Sequence, residues 1–211
     1  MRKALIVWGG WDGHQPKEVG EIFAEMLRKE SFEVIVSDTL ESYADEELMK
    51  SLDLIVPVWT MGKIEQHQLK PLLAAVENGC GIAGCHGGMA DSFRNEVEYQ
   101  YMVGGQWVAH PGNDGVHYTV EMSIPGDPLT EGIGDFEVCS EKYYMHVDPA
   151  VKVHATTSFG DVKMPVVWTK KWGQGNVYYN SLGHQANIVA MPQTMELMRR
   201  GFLWAARPEQ G

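Results

Sequence analysis

Three short, almost wholly apolar runs anchor the reading of this chain. They are Ala4-Leu5-Ile6-Val7-Trp8, Leu54-Ile55-Val56-Pro57-Val58 and Gly81-Ile82-Ala83-Gly84-Cys85. A strand that buries one face alternates polar with apolar residues, whereas a strand buried on both faces does not. Helical patterns fill the spaces between these runs. Pro16 suits a first helical turn, and Val19, Ile22, Phe23, Met26 and Leu27 then fall on one face. Glu33 to Val36 reads as a second strand and Asp45 to Ser51 as a short helix. Glu65 to Asn78 reads as a longer helix with Leu69, Leu72, Leu73 and Val76 inward, and Gly79 as its C-cap. Strand and helix thus alternate through the first ninety or so residues, which predicts an α/β fold: a mainly parallel sheet with helices on both faces.

The pattern changes after that. Val116, Tyr118, Val120, Met122 and Ile124 alternate with polar residues, as in a half-buried strand. Phe136 to Val138 and Val151 to Ala155 read as further strands. Pro165 to Thr169 and Asn176 to Ser181 flank Lys170-Lys171-Trp172-Gly173-Gln174-Gly175, a predicted hairpin turn. Met191 to Trp204 reads as a closing helix. No repeat or linker divides the chain, so residues 1–211 are expected to form one domain, with antiparallel strands added to the same sheet in the C-terminal half.

A length of 211 residues, 44% hydrophobic and 21% charged, suits one soluble domain. The net charge of −11 argues against nucleic acid and anionic membrane as partners. Cys80, Cys85 and Cys139 make neither a C-x-x-C pair nor an even disulfide framework, which points to a reducing compartment, the cytoplasm. The opening apolar run is too short for a signal peptide, and no stretch reaches transmembrane length.

The run ending at Cys85 leads into Gly84-Cys85-His86-Gly87-Gly88. This fits G-x-nucleophile-x-G, the sharp strand-to-helix elbow that lifts a side chain above a parallel sheet, with His86 at the tip. Successive strand residues point to opposite faces, so Cys85 is expected to turn into the core. The alternative register makes Cys85 a nucleophile. Ligands in open α/β sheets bind beyond the carboxyl ends of the strands. Trp11 and His14 follow the first strand, Trp59 the third, Glu141 and Tyr143 the Phe136 strand, and His184 the Asn176 strand. His110, before Pro111, reads equally as a loop brace or a site residue, and His146 stays open beside Glu141. His67, His117 and His154 read as solvated surface residues. A divalent metal held by His86, His110 and His184 is an alternative, although no H-x-x-x-H or H-E-x-x-H spacing supports it.

Several motifs, taken together, point to a family. They are Gly9-Gly10-x-x-Gly13-His14, the elbow, Gly104-Gly105-x-Trp107-x-x-His110-Pro111, Glu141-Lys142-Tyr143, Pro165-Val166-Val167-Trp168, Gly173-x-Gly175-x-Val177-Tyr178-Tyr179, Leu182-Gly183-His184 and Gly201-Phe202-Leu203-Trp204-Ala205. In this order and spacing the chain resembles the trehalose-utilisation, ThuA-like family of the class I glutamine amidotransferase-like superfamily, from about residue 4 to 206. The resemblance implies a flavodoxin-like sheet. Glutamine amidotransferases carry Cys at the elbow and a late His; here His86 takes the first place and His184 the second. An imidazole does not replace the thiolate that forms a thioester, so amidotransferase chemistry is not expected. Where the family has Asp-Glu, this chain has Ser140-Glu141.

The family's link to disaccharides and their 3-keto derivatives implies a sugar substrate. The leading expectation is acid–base chemistry on it: isomerisation, elimination or hydrolysis. His86 and His184 would be acid and base, Glu141 their partner, and Trp11, His14, Trp59, His110 and Tyr143 would bind the sugar. No cofactor is required on that reading. A metal-dependent sugar hydrolase or isomerase, and a non-catalytic sugar-binding module, are the alternatives. A homo-oligomer is compatible with either.

Overall fold

The computed structural model describes residues 1–208. In chain order the elements begin with β1 (Lys3–Gly10), α1 (Pro16–Lys29), β2 (Glu33–Ser37), α2 (Glu46–Ser51), β3 (Leu54–Thr60) and α3 (Gln66–Glu77). Next come β4 (Gly81–Cys85), α4 (His86–Ala90), α5 (Val97–Val103), β5 (Gly105–Ala109), β6 (Val116–Met122), β7 (Phe136–Ser140) and β8 (Tyr144–Val147). The chain closes with β9 (Lys152–Phe159), β10 (Val162–Trp172), β11 (Gly175–Asn180), α6 (Ala186–Val189) and α7 (Pro192–Ala205).

Nine strands form one sheet in the order β2-β1-β3-β4-β11-β10-β9-β6-β7. The half from β2 to β11 is parallel; from β11 to β7 each neighbour is antiparallel. The expected α/β architecture is therefore the observed one, with both halves of the chain sharing the sheet. The apolar runs are β1, β3 and β4, and they are buried on both faces. Ala4 and Ile6 of β1 join a core with Phe23 and Leu27 of α1 and Met198 and Phe202 of α7. Leu5 and Val7 face the opposite core with Leu69, Leu72 and Val76 of α3. The period of two along the strand thus sends alternate side chains to two helical layers. Among the described residues, no helix is long and apolar enough to cross a membrane.

Two local expectations are corrected, and one region carried no expectation. The hairpin turn is two residues, Gly173 and Gln174, because Lys170, Lys171 and Trp172 continue β10 opposite Val177, Asn176 and Gly175. Lys170 tolerates a strand position because its Nζ lies 4.1 Å from the Tyr101 ring centroid and bonds the Asp148 carboxylate at 2.7 Å. His154 is not a surface residue: it is buried on β9, bonded through Nδ1 to Asp127 and through Nε2 to Thr169 Oγ1 at 2.8 Å. Finally, α5 and the two-stranded sheet of β5 and β8 occupy a region with no clear periodicity. Its one legible signal was Gly104, which caps α5 in the left-handed region at φ 84°.

Candidate functional site

The strand order reverses at β1, which lies between β2 and β3. A crevice opens beyond the carboxyl ends of strands at such a point, and the predicted residues gather there. His86 begins α4 directly after β4, with a left-handed φ of 47°. A side chain held in that region costs on the order of 1–3 kcal/mol and persists only where its surroundings fix it. Here they do. Nδ1 donates to the Ser181 carbonyl at 2.8 Å, and the ring stacks on Tyr143 with centroids 3.8 Å apart. The next residue has to be glycine, since a Cβ on Gly87 would stand 2.6 Å from the His14 ring.

Glu141, one residue past β7, is the centre of the arrangement. Its Oε2 lies 3.1 Å from His86 Nε2, 3.3 Å from His184 Nδ1 and 3.9 Å from His14 Nε2. Its Oε1 lies 3.8 Å from His110 Nδ1. Four imidazoles thus surround one carboxylate, and His14, His86, Glu141 and His184 are all buried. His14 Nδ1 is held by Thr60 Oγ1 at 2.8 Å, which aims Nε2 inward.

The protons do not balance within this cluster. Because a carbonyl only accepts, His86 Nδ1 carries the hydrogen of the neutral ring, and its Nε2 lone pair then faces a carboxylate oxygen. Burial pushes the His86 pKa down to about 4, against the hydrogen bond to Glu141. Burial alone would raise Glu141, but the His14, His184 and His86 imidazoles outweigh it and hold the carboxyl well below the usual range. His184 Nδ1 and His110 Nδ1 are buried without a hydrogen-bond partner.

The cavity above this cluster has a volume of about 310 Å³. Trp11, His14, Thr60, Met61, Asp91, Arg94, Trp107, His110, Glu141 and Tyr143 line it. A larger groove of about 480 Å³, between α2, α3 and Arg207, contains none of this chemistry. Trp11, His14, His110 and Tyr143 therefore reach the cavity, with His86 and His184 beneath it. Trp59 does not line it: its ring fills a slot over Gly9 and Gly62, where the missing side chains leave room. His146 is exposed on β8, opposite Gln106 of β5. Sequence reasoning missed Asp91 and Arg94, which sit just beyond the elbow helix. Trp107 was visible in its Gly-rich motif but was given no role.

Cys85 packs into the core beneath the elbow, and burial raises its thiol pKa to about 12. Iodoacetamide is expected to label it orders of magnitude more slowly than a free thiol at neutral pH, with exposed Cys139 reacting first. Fast labelling of Cys85 that tracks loss of function would reject this register.

The model of the family described as trehalose utilisation, ThuA, matches residues 3–205. No curated protein matches the chain. A ThuA-like protein from Bacteroides uniformis ATCC 8492 superposes with a TM-score of 0.80 at 17% identity, over 97% of this chain and 91% of that one. A second, from Parabacteroides merdae ATCC 43184, gives 0.78 at 15% identity, over 100% and 92%. The cold-adapted β-galactosidase of Rahnella sp. R3 gives 0.62 at 17% identity, over 97% of this chain and 30% of the enzyme. With a family match spanning almost its whole length, on the fold of the ThuA-like structures, the chain belongs to the trehalose-utilisation (ThuA) family, and its role is in carbohydrate utilisation.

Proposed function

We propose that the protein is a metal-assisted enzyme acting on a sugar, with His14, His86, His184 and Glu141 as the ligands of a divalent transition metal. The carrying observation is the convergence of four ligand atoms, all within 4.8 Å of one another. Two atoms each ~2.1 Å from one ion, at tetrahedral or octahedral angles, stand ~3.0–3.4 Å apart, and the Glu141 contacts to His86 and His184 match this at 3.1 and 3.3 Å. The outer nitrogens of His86 and His14 are tied to Ser181 and Thr60, as metal-bound imidazoles require. Three imidazoles and one carboxylate suit zinc, iron, nickel or manganese better than calcium or magnesium. A cation also supplies what the facing lone pairs of His86 and Glu141 lack. This places the metal reading ahead of acid–base chemistry by His86 and His184 alone.

When bound, such an ion polarises a carbonyl or lowers the pKa of water. The chain's own residues do the rest. Glu141 and the three imidazoles are buried, which suits them to holding an ion. His110 faces the cavity, its ring 28% exposed, with Nδ1 close to the second Glu141 oxygen. It is the side chain placed to move a proton to or from a sugar hydroxyl or the carbon beside a sugar carbonyl. Tyr143, stacked on His86, lines the same space.

The test is turnover of trehalose, glucosides and their keto derivatives, with and without zinc, manganese or nickel. His110→Ala is expected to lower kcat by at least ~100-fold while retaining bound metal. Turnover that survives complete removal of metal would sink the metal reading. Saturable sugar binding with no turnover under any condition would leave a binding module instead.

A further inference from the structure

The rings of His14 and His86 are each fixed from outside the cluster, by Thr60 and by the Ser181 carbonyl. Glu141 has no such tie on its side chain. Among the described residues its carboxylate has only histidines as hydrogen-bond or ion-pair partners. Its place has to come from the main chain, because a binding constellation works only when held to ~0.5 Å.

The sheet offers that main chain little support. β7 is the last strand of the sheet, paired with β6 alone, and the ladder ends at Ser140 opposite Val116. Glu141 is the next residue. A residue just past the end of an edge ladder has few bonds to keep it closed.

Two contacts take the place of the ladder. Tyr118 of β6 is buried, and its hydroxyl donates to the Glu141 main-chain carbonyl at 3.0 Å. A carbonyl only accepts, so the direction of that bond is fixed. Tyr118 stands within the ladder opposite Val138, and β6 is flanked by β7 and β9. The bond thus fastens a residue outside the sheet to a strand inside it. One residue on, the Lys142 Nζ bonds the Ser158 carbonyl of β9 and lies 4.2 Å from the Phe159 ring centroid. Lys142 keeps this segment against the sheet; Tyr118 holds Glu141 itself.

We infer that Tyr118 is a positioning residue of the candidate metal site: its buried hydroxyl fixes the Glu141 carbonyl and, through it, the approach of the carboxylate to His86 and His184. This rests on the reading of these side chains as metal ligands. Tyr118 is not itself a ligand and does not line the cavity. Phe at this position keeps the packing of the ring and loses only the tie.

Tyr178→Phe is a matched comparison for Tyr118→Phe. The Tyr178 hydroxyl belongs to the same core, is buried, and donates to a carbonyl at 2.8 Å, that of Leu197 on α7, a helix without a ligand. Zinc affinity is measured by competition with a chelator. The ring-nitrogen NMR signals of the histidines are compared in metal-free protein at one pH. Tyr118→Phe is expected to weaken zinc about 10-fold or more, as loss of a group behind a ligand does. It is also expected to move the signals of His86 and His184, whose nitrogens lie 3.1 and 3.3 Å from the carboxylate. Tyr178→Phe is expected to change zinc affinity by less than about 2-fold and to leave those signals in place. Each variant loses one buried hydrogen bond, so the metal-free melting temperatures should fall alike.

Native zinc affinity in Tyr118→Phe would overturn the inference. So would equal weakening in both variants, which would make the effect one of general stability, or unmoved His86 and His184 signals in Tyr118→Phe. If native protein takes up no zinc, the metal reading falls, and the ring signals by themselves decide whether Tyr118 positions Glu141 among the imidazoles.

Discussion

Protein purified without a histidine tag is expected to carry close to one equivalent of a divalent transition metal per chain, or to take it up after dialysis against a chelator. Glu141→Gln is expected to weaken that binding by at least ~100-fold, because changes even at groups behind a ligand cost 10–100-fold, and Glu141 lies nearest the shared centre. His86→Ala removes one ligand and is expected to do the same. Metal at about 100 times its Kd stabilises a native site by roughly 2.7 kcal/mol, so the native protein gains several degrees of melting temperature while both variants gain almost none. The variants themselves are expected to fold. Replacing Glu141 by an amide relieves the facing lone pairs, since an amide N–H donates to His86 Nε2. Less than about a tenth of an equivalent in native protein, with no thermal shift from zinc, manganese, nickel or iron(II), would overturn the assignment.

The second large effect lies outside the residues that line the cleft. Asp127→Ala is expected to destabilise the fold by about 2–4 kcal/mol, the cost of leaving two buried donors without their acceptor. His154 would lose the acceptor on Nδ1, and the turn after Asp127 would lose the bond its carboxylate accepts from Leu129 N–H. For a domain of this size the melting temperature would fall by roughly 10 °C. The effect depends on pH with a definite sign. Burial holds the His154 imidazole below its ordinary value against the pull of Asp127. Burial would raise Asp127, but the hydrogen bonds from His154 and Leu129 keep it lowered. The unfolded chain therefore binds more protons on the acid side. The native protein's stability therefore declines below ~6.5 and further through the carboxylate range. In Asp127→Ala the His154 ring lacks the raising pull of Asp127, so the variant declines at least as steeply below ~6.5, and the gap between the two narrows only as pH falls below ~4 and Asp127 itself takes a proton. A gap below about 1 kcal/mol at pH ~7, or one that does not narrow at all below pH ~4, would show that this tie does not hold the β6–β7 connection.

The sequence alone determined the parallel half of the sheet, the helices on its two faces and the elbow. Each depends on information within one element: an apolar run too uniform for a half-exposed strand, a helical period, and glycines on both sides of His86. It also determined that Cys85 turns inward, since that follows from alternation along one strand. Strand ends are legible in the same way, which is why Trp11, His14, His86, Tyr143 and His184 could be named in advance.

The tertiary structure decided what those residues are to one another. Glu141 follows β7, at the far edge of the sheet from β1, yet it reaches four histidines from four other parts of the chain. Nothing in sequence spacing fixes such a distance. It also decided that His14 belongs with His86 and His184, while His110 faces the cavity. Trp59 and His154 show the same boundary from the other side. Both occupy positions that periodicity leaves ambiguous, and each was settled by a remote neighbour. For Trp59 that neighbour is the bare backbone of Gly9 and Gly62. For His154 it is Asp127, beside a bulge where His154 and Ala155 are both buried and strand alternation fails. Local patterns specify which face of an element is apolar; which polar groups meet beyond the strand ends depends on how the connecting loops close over the sheet.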